Sequence, residues 1–208
     1  MYRDHMPIIR DAMREDLEIF RRGVMFAVCS IRQPTTNVPD QLARLFDGAE
    51  GENPLFGHKF KAWEYIADNS RAALLWKKLN LFASLSYGPM GYPRVGATEA
   101  AMLAILEVPG LGIVKSAFVL QLMGFDVACL DSRNVKREGR HPRAFRTDGK
   151  GVDQLRRQVS AYLDETYGKA EQYWDAWCRD VAGSYDGYTP EAVSELHLSI
   201  VPNGYVPF

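Results

Sequence analysis

An all-α fold follows from three features of the sequence. Apolar residues recur at helical spacing through most of the chain, no stretch sustains strand alternation, and clusters of glycine, proline and asparagine cut the chain into helix-sized pieces. With 208 residues, 47% hydrophobic and 25% charged, the chain can bury a full core, and disorder explains no large part of it. It reads as one compact unit or two small lobes.

The elements follow in order. Residues 5–29 carry Met6, Ile8, Ile9, Met13, Leu17, Ile19, Phe20, Val24 and Phe26 at helical spacing, which predicts two helices broken near Gly23. Pro34, Asn37 and Pro39 end a helix and open a turn, after which Asp40 can cap a helix containing Leu42, Leu45 and Phe46. Residues 48–58, rich in glycine with Asn53 and Pro54, form a loop. Further helices are predicted at 59–68, 70–86, 98–107, 114–123, 151–166 and 169–182, and 183–208 reads as an irregular tail packed on the body. The aromatics Tyr162, Tyr167, Tyr173, Trp174 and Trp177 fall at helical spacing, which more often means core than a platform for a planar ligand. The loop 87–97, dense in glycine, proline and tyrosine, reads equally as a substrate-facing segment or as a connector whose tyrosines cover a core edge.

Charge limits the partners. The formal net charge is −1, so any grip on nucleic acid must be local. One segment offers it: Arg133, Lys136, Arg137, Arg140, Arg143, Arg146 and Lys150 stand against only Glu138 and Asp148, either as a track for phosphates or as a solvated basic loop. Three scattered cysteines, Cys29, Cys129 and Cys178, make neither a disulfide framework nor a four-cysteine metal site, and the four histidines show no ligand spacing. No required metal cofactor is expected. The absence of a signal peptide and of a bilayer-length apolar run predicts a cytoplasmic protein with no membrane partner; it is expected to act as a monomer.

The chemistry concentrates between the predicted helices 98–107 and 114–123. Val108-Pro109-Gly110-Leu111-Gly112 places two glycines around one apolar residue, which permits a tight hairpin whose backbone N–H groups face outward. The next helix starts at that turn and adds its positive end, so the helix-hairpin-helix element can hold a phosphate. Lys115-Ser116-Ala117 follows, and a short apolar helix leads on to Leu130-Asp131-Ser132.

These blocks resemble the helix-hairpin-helix DNA glycosylase superfamily, the endonuclease III-like enzymes, whose hairpin reads L-P-G-x-G-x-K-S/T-A and is followed by V-D-S/T-H. Arg133 stands where that family usually has histidine. Phe26 to Thr36 is similar to the family's apolar helix ending in S-x-Q-x-T, with one additional residue between Ser30 and Gln33, which makes Gln33 the candidate to fill the gap left by an extruded base. The resemblance covers about residues 23 to 137. It implies one lobe over 23–131 ending in the hairpin, a second over 1–22 plus 132–208, and a DNA-binding cleft between them. It further implies a DNA N-glycosylase acting on a damaged or modified base flipped from duplex DNA. Val108, Gly110, Leu111, Gly112, Ser116, Arg133, Lys136 and Arg137 would join Gln33 in holding DNA. Asp131 would stabilise positive charge on the sugar, assist the nucleophile, or cap a helix. The four-cysteine iron–sulfur loop of many relatives is missing, so no cluster is expected, although the hairpin carbonyls can hold a monovalent cation.

The hairpin departs from the pattern by one residue. Ile113 and Val114 stand between Gly112 and Lys115 where the family has one residue, so either Lys115 or Val114 takes the lysine's slot. One residue in a helix is about 100° of rotation, so the choice is chemical. Lys115 in the slot would attack the sugar and add strand cleavage, while Val114 would leave water-mediated excision. Keeping Lys-Ser-Ala in order favours Lys115, whose plainer role would be a phosphate contact at a helix start. Two other functions fit the same residues: a glycosylase-fold transferase that modifies thymine-derived bases in viral DNA, and a DNA-binding module without catalysis.

Overall fold

The computed structural model describes residues 1–32, 34–50, 55–86, 95–139, 145, 151–202 and 204–205. Its elements are α1 (Tyr2–Glu15), α2 (Leu17–Cys29), α3 (Val38–Phe46), α4 (His58–Ala67), α5 (Asn69–Leu85), α6 (Val95–Ile105), α7 (Ile113–Leu122), α8 (Ser132–Arg137), α9 (Val152–Thr166), α10 (Ala170–Ala182) and α11 (Pro190–Glu195), with 3-10 segments at Thr35–Asn37 and Leu196–Ile200. The protein is all-α. Among the described residues the only strand-like pairing is one isolated bridge between Val127 and Tyr167.

The core is built around α2. Every residue from Ile19 to Cys29 except Arg21 is buried, and α1, α3, α4, α5, α7 and the segment 196–200 all pack on it. A helix apolar on nearly every side belongs inside. Arg22 is the polar exception: its guanidinium pairs with Asp47 and donates to the carbonyl oxygens of Ser199 and Ile200, each at 3.0 Å. One buried cation thus ties α2 to the end of α3 and to the C-terminal segment.

Three expectations are corrected. The first break falls at Asp16, not near Gly23. Asp16 is extended, ends α1, and caps α2 by accepting from the N–H groups of Glu18 and Ile19. Gly23 lies inside α2, where a Cβ would collide with Met13 of α1, so it serves close helix packing and not a break. The residue-22/23 boundary inferred for two lobes therefore runs through one helix. Second, α3 begins at Val38 with Asp40 in its first turn, so Asp40 complements the helix dipole without being the cap. Third, the C-terminal region is not irregular: Thr189 caps α11 through the N–H of Ala192, and the following 3-10 turn buries His197 and Ile200 completely. No helix among the described residues is long and apolar enough to cross a membrane.

Candidate functional site

The hairpin forms between α6 and α7. Leu111 N–H closes a turn on the Val108 carbonyl at 3.2 Å, and Gly110 takes φ +84°, the left-handed region that glycine enters freely. Gly110 is required twice over, because a Cβ there would stand 3.1 Å from His58 Cδ2 and 3.2 Å from the His58 carbonyl oxygen at the start of α4. Gly112 is the extended N-cap of α7 and supplies no side-chain cap, so the first-turn N–H groups of that helix stay available at its positive end.

A cavity of 1050 Å³ lies beside this turn. Gly110, Leu111, Gly112, Val114 and Lys115 form one wall, and Cys129, Asp131, Arg133 and Asn134 form another. Phe118, Tyr173, Trp174, Trp177, Tyr185 and His197 supply an aromatic lining. The two residues chosen from sequence as catalytic, Lys115 and Asp131, therefore share one cavity. So does Val114, the competitor for the lysine slot.

Lys115 is half-buried. Its Nζ donates to Ser30 Oγ at 2.8 Å and lies 5.1 Å from the centre of the Phe118 ring, a cation–π position. Ser30 Oγ in turn donates to the Ala27 carbonyl at 2.8 Å, which leaves it free to accept from Lys115. Behind them Lys59 Nζ donates to the Cys29 carbonyl at 3.0 Å, and burial pushes the Lys59 amine below the ordinary lysine range. The C-terminal end of α2 is thereby fixed against α4 just where Ser30 leaves it.

Asp131 caps α8. Its Oδ1 accepts from the N–H groups of Arg133 (3.1 Å) and Asn134 (3.0 Å), and its Oδ2 accepts from Trp177 Nε1 at 2.6 Å. Three N–H donors hold one carboxylate at the cavity wall, an arrangement suited to stabilising a cation that develops nearby. The segment leading to Asp131 is pinned as well: Tyr162 Oη, fully buried in α9, donates to the Ala128 carbonyl (2.8 Å) and accepts from Leu130 N–H (2.9 Å). Cys129 feels both charged groups, but burial pushes its thiol up to about 12, so it stays protonated and is no nucleophile.

His197 forms the deep end of the lining. It is 0% exposed and packs against Phe26, Phe118, Trp174 and Trp177, with ring centres 4.8, 5.8, 4.4 and 5.7 Å away. Burial pushes its pKa down to about 3, so the imidazole is neutral at physiological pH.

The residues expected to hold DNA fall into different settings. Gly110, Leu111, Gly112 and Arg133 line the cavity, and Arg133 donates to Ser184 Oγ at 2.8 Å. Val108 and Ser116 are buried, so only their backbone could face a strand. Lys136 is exposed, while Arg137 pairs with Asp180 at 2.8 Å and sits 5.5 Å from the Tyr173 ring centre. Gln33 lies outside the described residues, as do Arg140, Arg143, Arg146 and Lys150 of the basic stretch and residues 87–94 of the tyrosine-rich loop.

Sequence reasoning missed His58, Asn134, Trp177 and His197. Trp177 did leave a signal, since Tyr173, Trp174, Trp177 and Val181 follow one helical stripe that is both core and cavity wall. His197 left none, because its ring cage comes from three separate helices. Among the described residues, no group of three or more histidine, cysteine or acidic side chains is placed to hold a metal ion. The chain matches no family model, no curated protein and no solved structure.

Proposed function

We propose that this chain is a helix-hairpin-helix DNA N-glycosylase with associated lyase chemistry, acting on a damaged or modified base flipped out of duplex DNA. One observation carries the reading: the glycine hairpin, Lys115 and Asp131, separated in sequence, line the same aromatic cavity. In this reading the cavity is the cleft between a lobe made by α2 and the chain on to residue 131 and a lobe made by α1 with residues 132–208, the division falling at Asp16 and not within α2. Its lining supports that division, since Ser30, His58 and the hairpin come from the first and Trp174, Trp177 and His197 from the second.

The hairpin N–H groups and the uncapped start of α7 hold a phosphate beside the flipped nucleotide. Its base enters the aromatic pocket. Lys115 gives up a proton and its amine attacks C1′ of the sugar; the glycosidic bond breaks and its electron pair leaves with the base, which takes up that proton. Asp131 stabilises the positive charge that builds on the sugar as the bond lengthens. Loss of the N–H proton and opening of the sugar ring then give a Schiff base on Lys115, from which strand cleavage follows.

Duplex oligonucleotides carrying a panel of damaged and modified bases, incubated with the protein and borohydride, test this. The expected result is a covalent adduct that Lys115→Gln cannot form, together with release of one base type. An alkali-labile abasic site without an adduct would remove Lys115 from the nucleophile's role. A base of increased mass with no abasic site would replace excision by base transfer. Binding without any product would leave a DNA-binding module.

A further inference from the structure

The charges that line the cavity are not balanced. Counting histidine as neutral, Arg32, Lys115 and Arg133 stand against Asp131 alone among the described lining residues, in a chain whose formal net charge is −1. Nor do these charges pair off. The Asp131 carboxylate accepts from two backbone N–H groups and from Trp177, and meets no arginine or lysine side chain among the described residues. Arg133 Nη1 donates to Ser184 Oγ at 2.8 Å and lies 3.4 Å from the Asp180 carbonyl oxygen, but the Asp180 carboxylate is taken by Arg137. The other N–H groups of the Arg133 guanidinium are without a partner among the described residues. Arg32 makes no ion pair and no side-chain hydrogen bond among them.

Arg32 also holds a backbone conformation that an arginine does not favour. It is exposed, lies two residues past the Ser30 that holds Lys115, and takes φ +56°, the only left-handed backbone angle outside glycine among the described residues. Glycine would hold this turn without strain, so what the position gains is the arginine side chain. Strain of this kind gathers where a ligand is held. Like charges in one cleft focus a positive potential, and the planar fork of a guanidinium matches the oxygens of a phosphate. A nucleic-acid strand carries such a charge at every nucleotide, so it can meet cations on separate parts of one wall.

We propose that Arg32 and Arg133 each hold a backbone phosphate of the strand whose nucleotide enters the cavity, in addition to the phosphate at the hairpin. The inference rests on the proposed function in taking that strand to be DNA. It places the electrostatic grip of a nearly neutral chain in two arginines, one following α2 and one opening α8.

Fluorescence anisotropy of a duplex with a central abasic analogue, titrated with the full chain over a salt series, tests it. Arg32→Gly removes one guanidinium and leaves the turn unstrained, so thermal stability should hold or rise. Arg133→Gln removes the other charge, and circular dichroism checks its fold. Each variant should make the slope of log affinity against log salt shallower by about 0.9, the release of one counterion, and the double variant by about twice that. Arg32→Lys should keep the slope. Neutral methylphosphonates placed singly around the analogue locate the contacts. At one position the replacement should weaken binding by the unaltered chain and cost Arg32→Gly nothing further, and at another position the same should hold for Arg133→Gln. A slope unaltered in either variant, methylphosphonate effects that add to both substitutions at every position, or no binding of the duplex by the unaltered chain overturns the inference. Binding of inorganic phosphate that both variants lose, with duplex slopes unaltered, would assign the arginines to a free phosphate and overturn the strand contact. Shallower slopes in a chain that releases no base would sink the proposed function alone, and base release with slopes unaltered would sink this inference alone.

Discussion

Asp131 has a structural place at the cavity wall, and the proposed function gives it a chemical one as well. As the N-cap of α8 it satisfies two backbone donors, and through Trp177 Nε1 it is held at the cavity wall. Asp131→Asn keeps an oxygen for the cap but can turn an N–H toward the indole N–H, setting donor against donor. Base release by this variant should fall by about two to three orders of magnitude, as when a preorganised charge is removed from a reacting centre. Duplex binding and helix content should persist. Trp177→Phe preserves a ring beside His197 and deletes one donor to the carboxylate, so its rate should fall by about tenfold to a hundredfold, the worth of a hydrogen bond to a charged group. Single-turnover assays on both variants check the order. Full activity in Asp131→Asn would reduce the residue to a cap.

The elements that matter most are a turn and a pinned loop. Replacing both hairpin glycines would be a poor test of DNA binding, because Gly110 is committed to a left-handed turn and to contact with His58. Gly112 is extended at φ −95°, which any residue adopts, and it occupies an N-cap position where aspartate is favoured. Gly112→Asp should therefore hold or raise thermal stability while its negative charge weakens duplex binding by about tenfold or more, as a phosphate site loses its complement. Unchanged affinity in fluorescence anisotropy would take the hairpin out of the binding site. Tyr162→Phe probes the other element. It strands the Ala128 carbonyl and the Leu130 N–H in the core, so stability should fall by about 2 kcal/mol in urea unfolding. Base release should fall with it if the pinned segment sets the position of Asp131.

At the scale of the whole molecule, α2 and the C-terminal segment are joined by Arg22 below and by the ring cage of His197 above. The cage makes stability depend on acid. The pKa of His197 is about 3 in the fold against an ordinary value of 6.5, so below pH 6.5 the unfolded chain takes up a proton that the folded chain refuses. Its contribution is fully present above pH 6.5 and is lost as pH falls toward 3, at up to about 1.4 kcal/mol per pH unit. Denaturant unfolding of the full chain at pH 7 and pH 5 should show this loss, and His197→Phe should remove about 2 kcal/mol of the difference. The same pH sensitivity in that variant would assign the effect to other groups.

Periodicity and turn chemistry in the sequence determined the all-α class, most of the helix spans from 59 to 182, and the glycine hairpin, because these depend on residues close together in the chain. Lys115 and Asp131 were chosen from short motifs and the resemblance those motifs carry, Lys115 beside a predicted helix start and Asp131 ahead of a helix, α8, that was not predicted. What only the tertiary structure decided is which distant residues meet. Gly23 reads as a breaker until Met13 is seen against it, and the aromatic stripe of α10 reads as core until one edge of it faces a cavity. His197 and Asn134 carry no local pattern at all. Their burial exists only because α2, α7, α10 and the C-terminal turn close around one ring, while the Asp131 cap starts α8 beside the same space. Burial and hydrogen-bond satisfaction are properties of that assembly, and no window of sequence contains them.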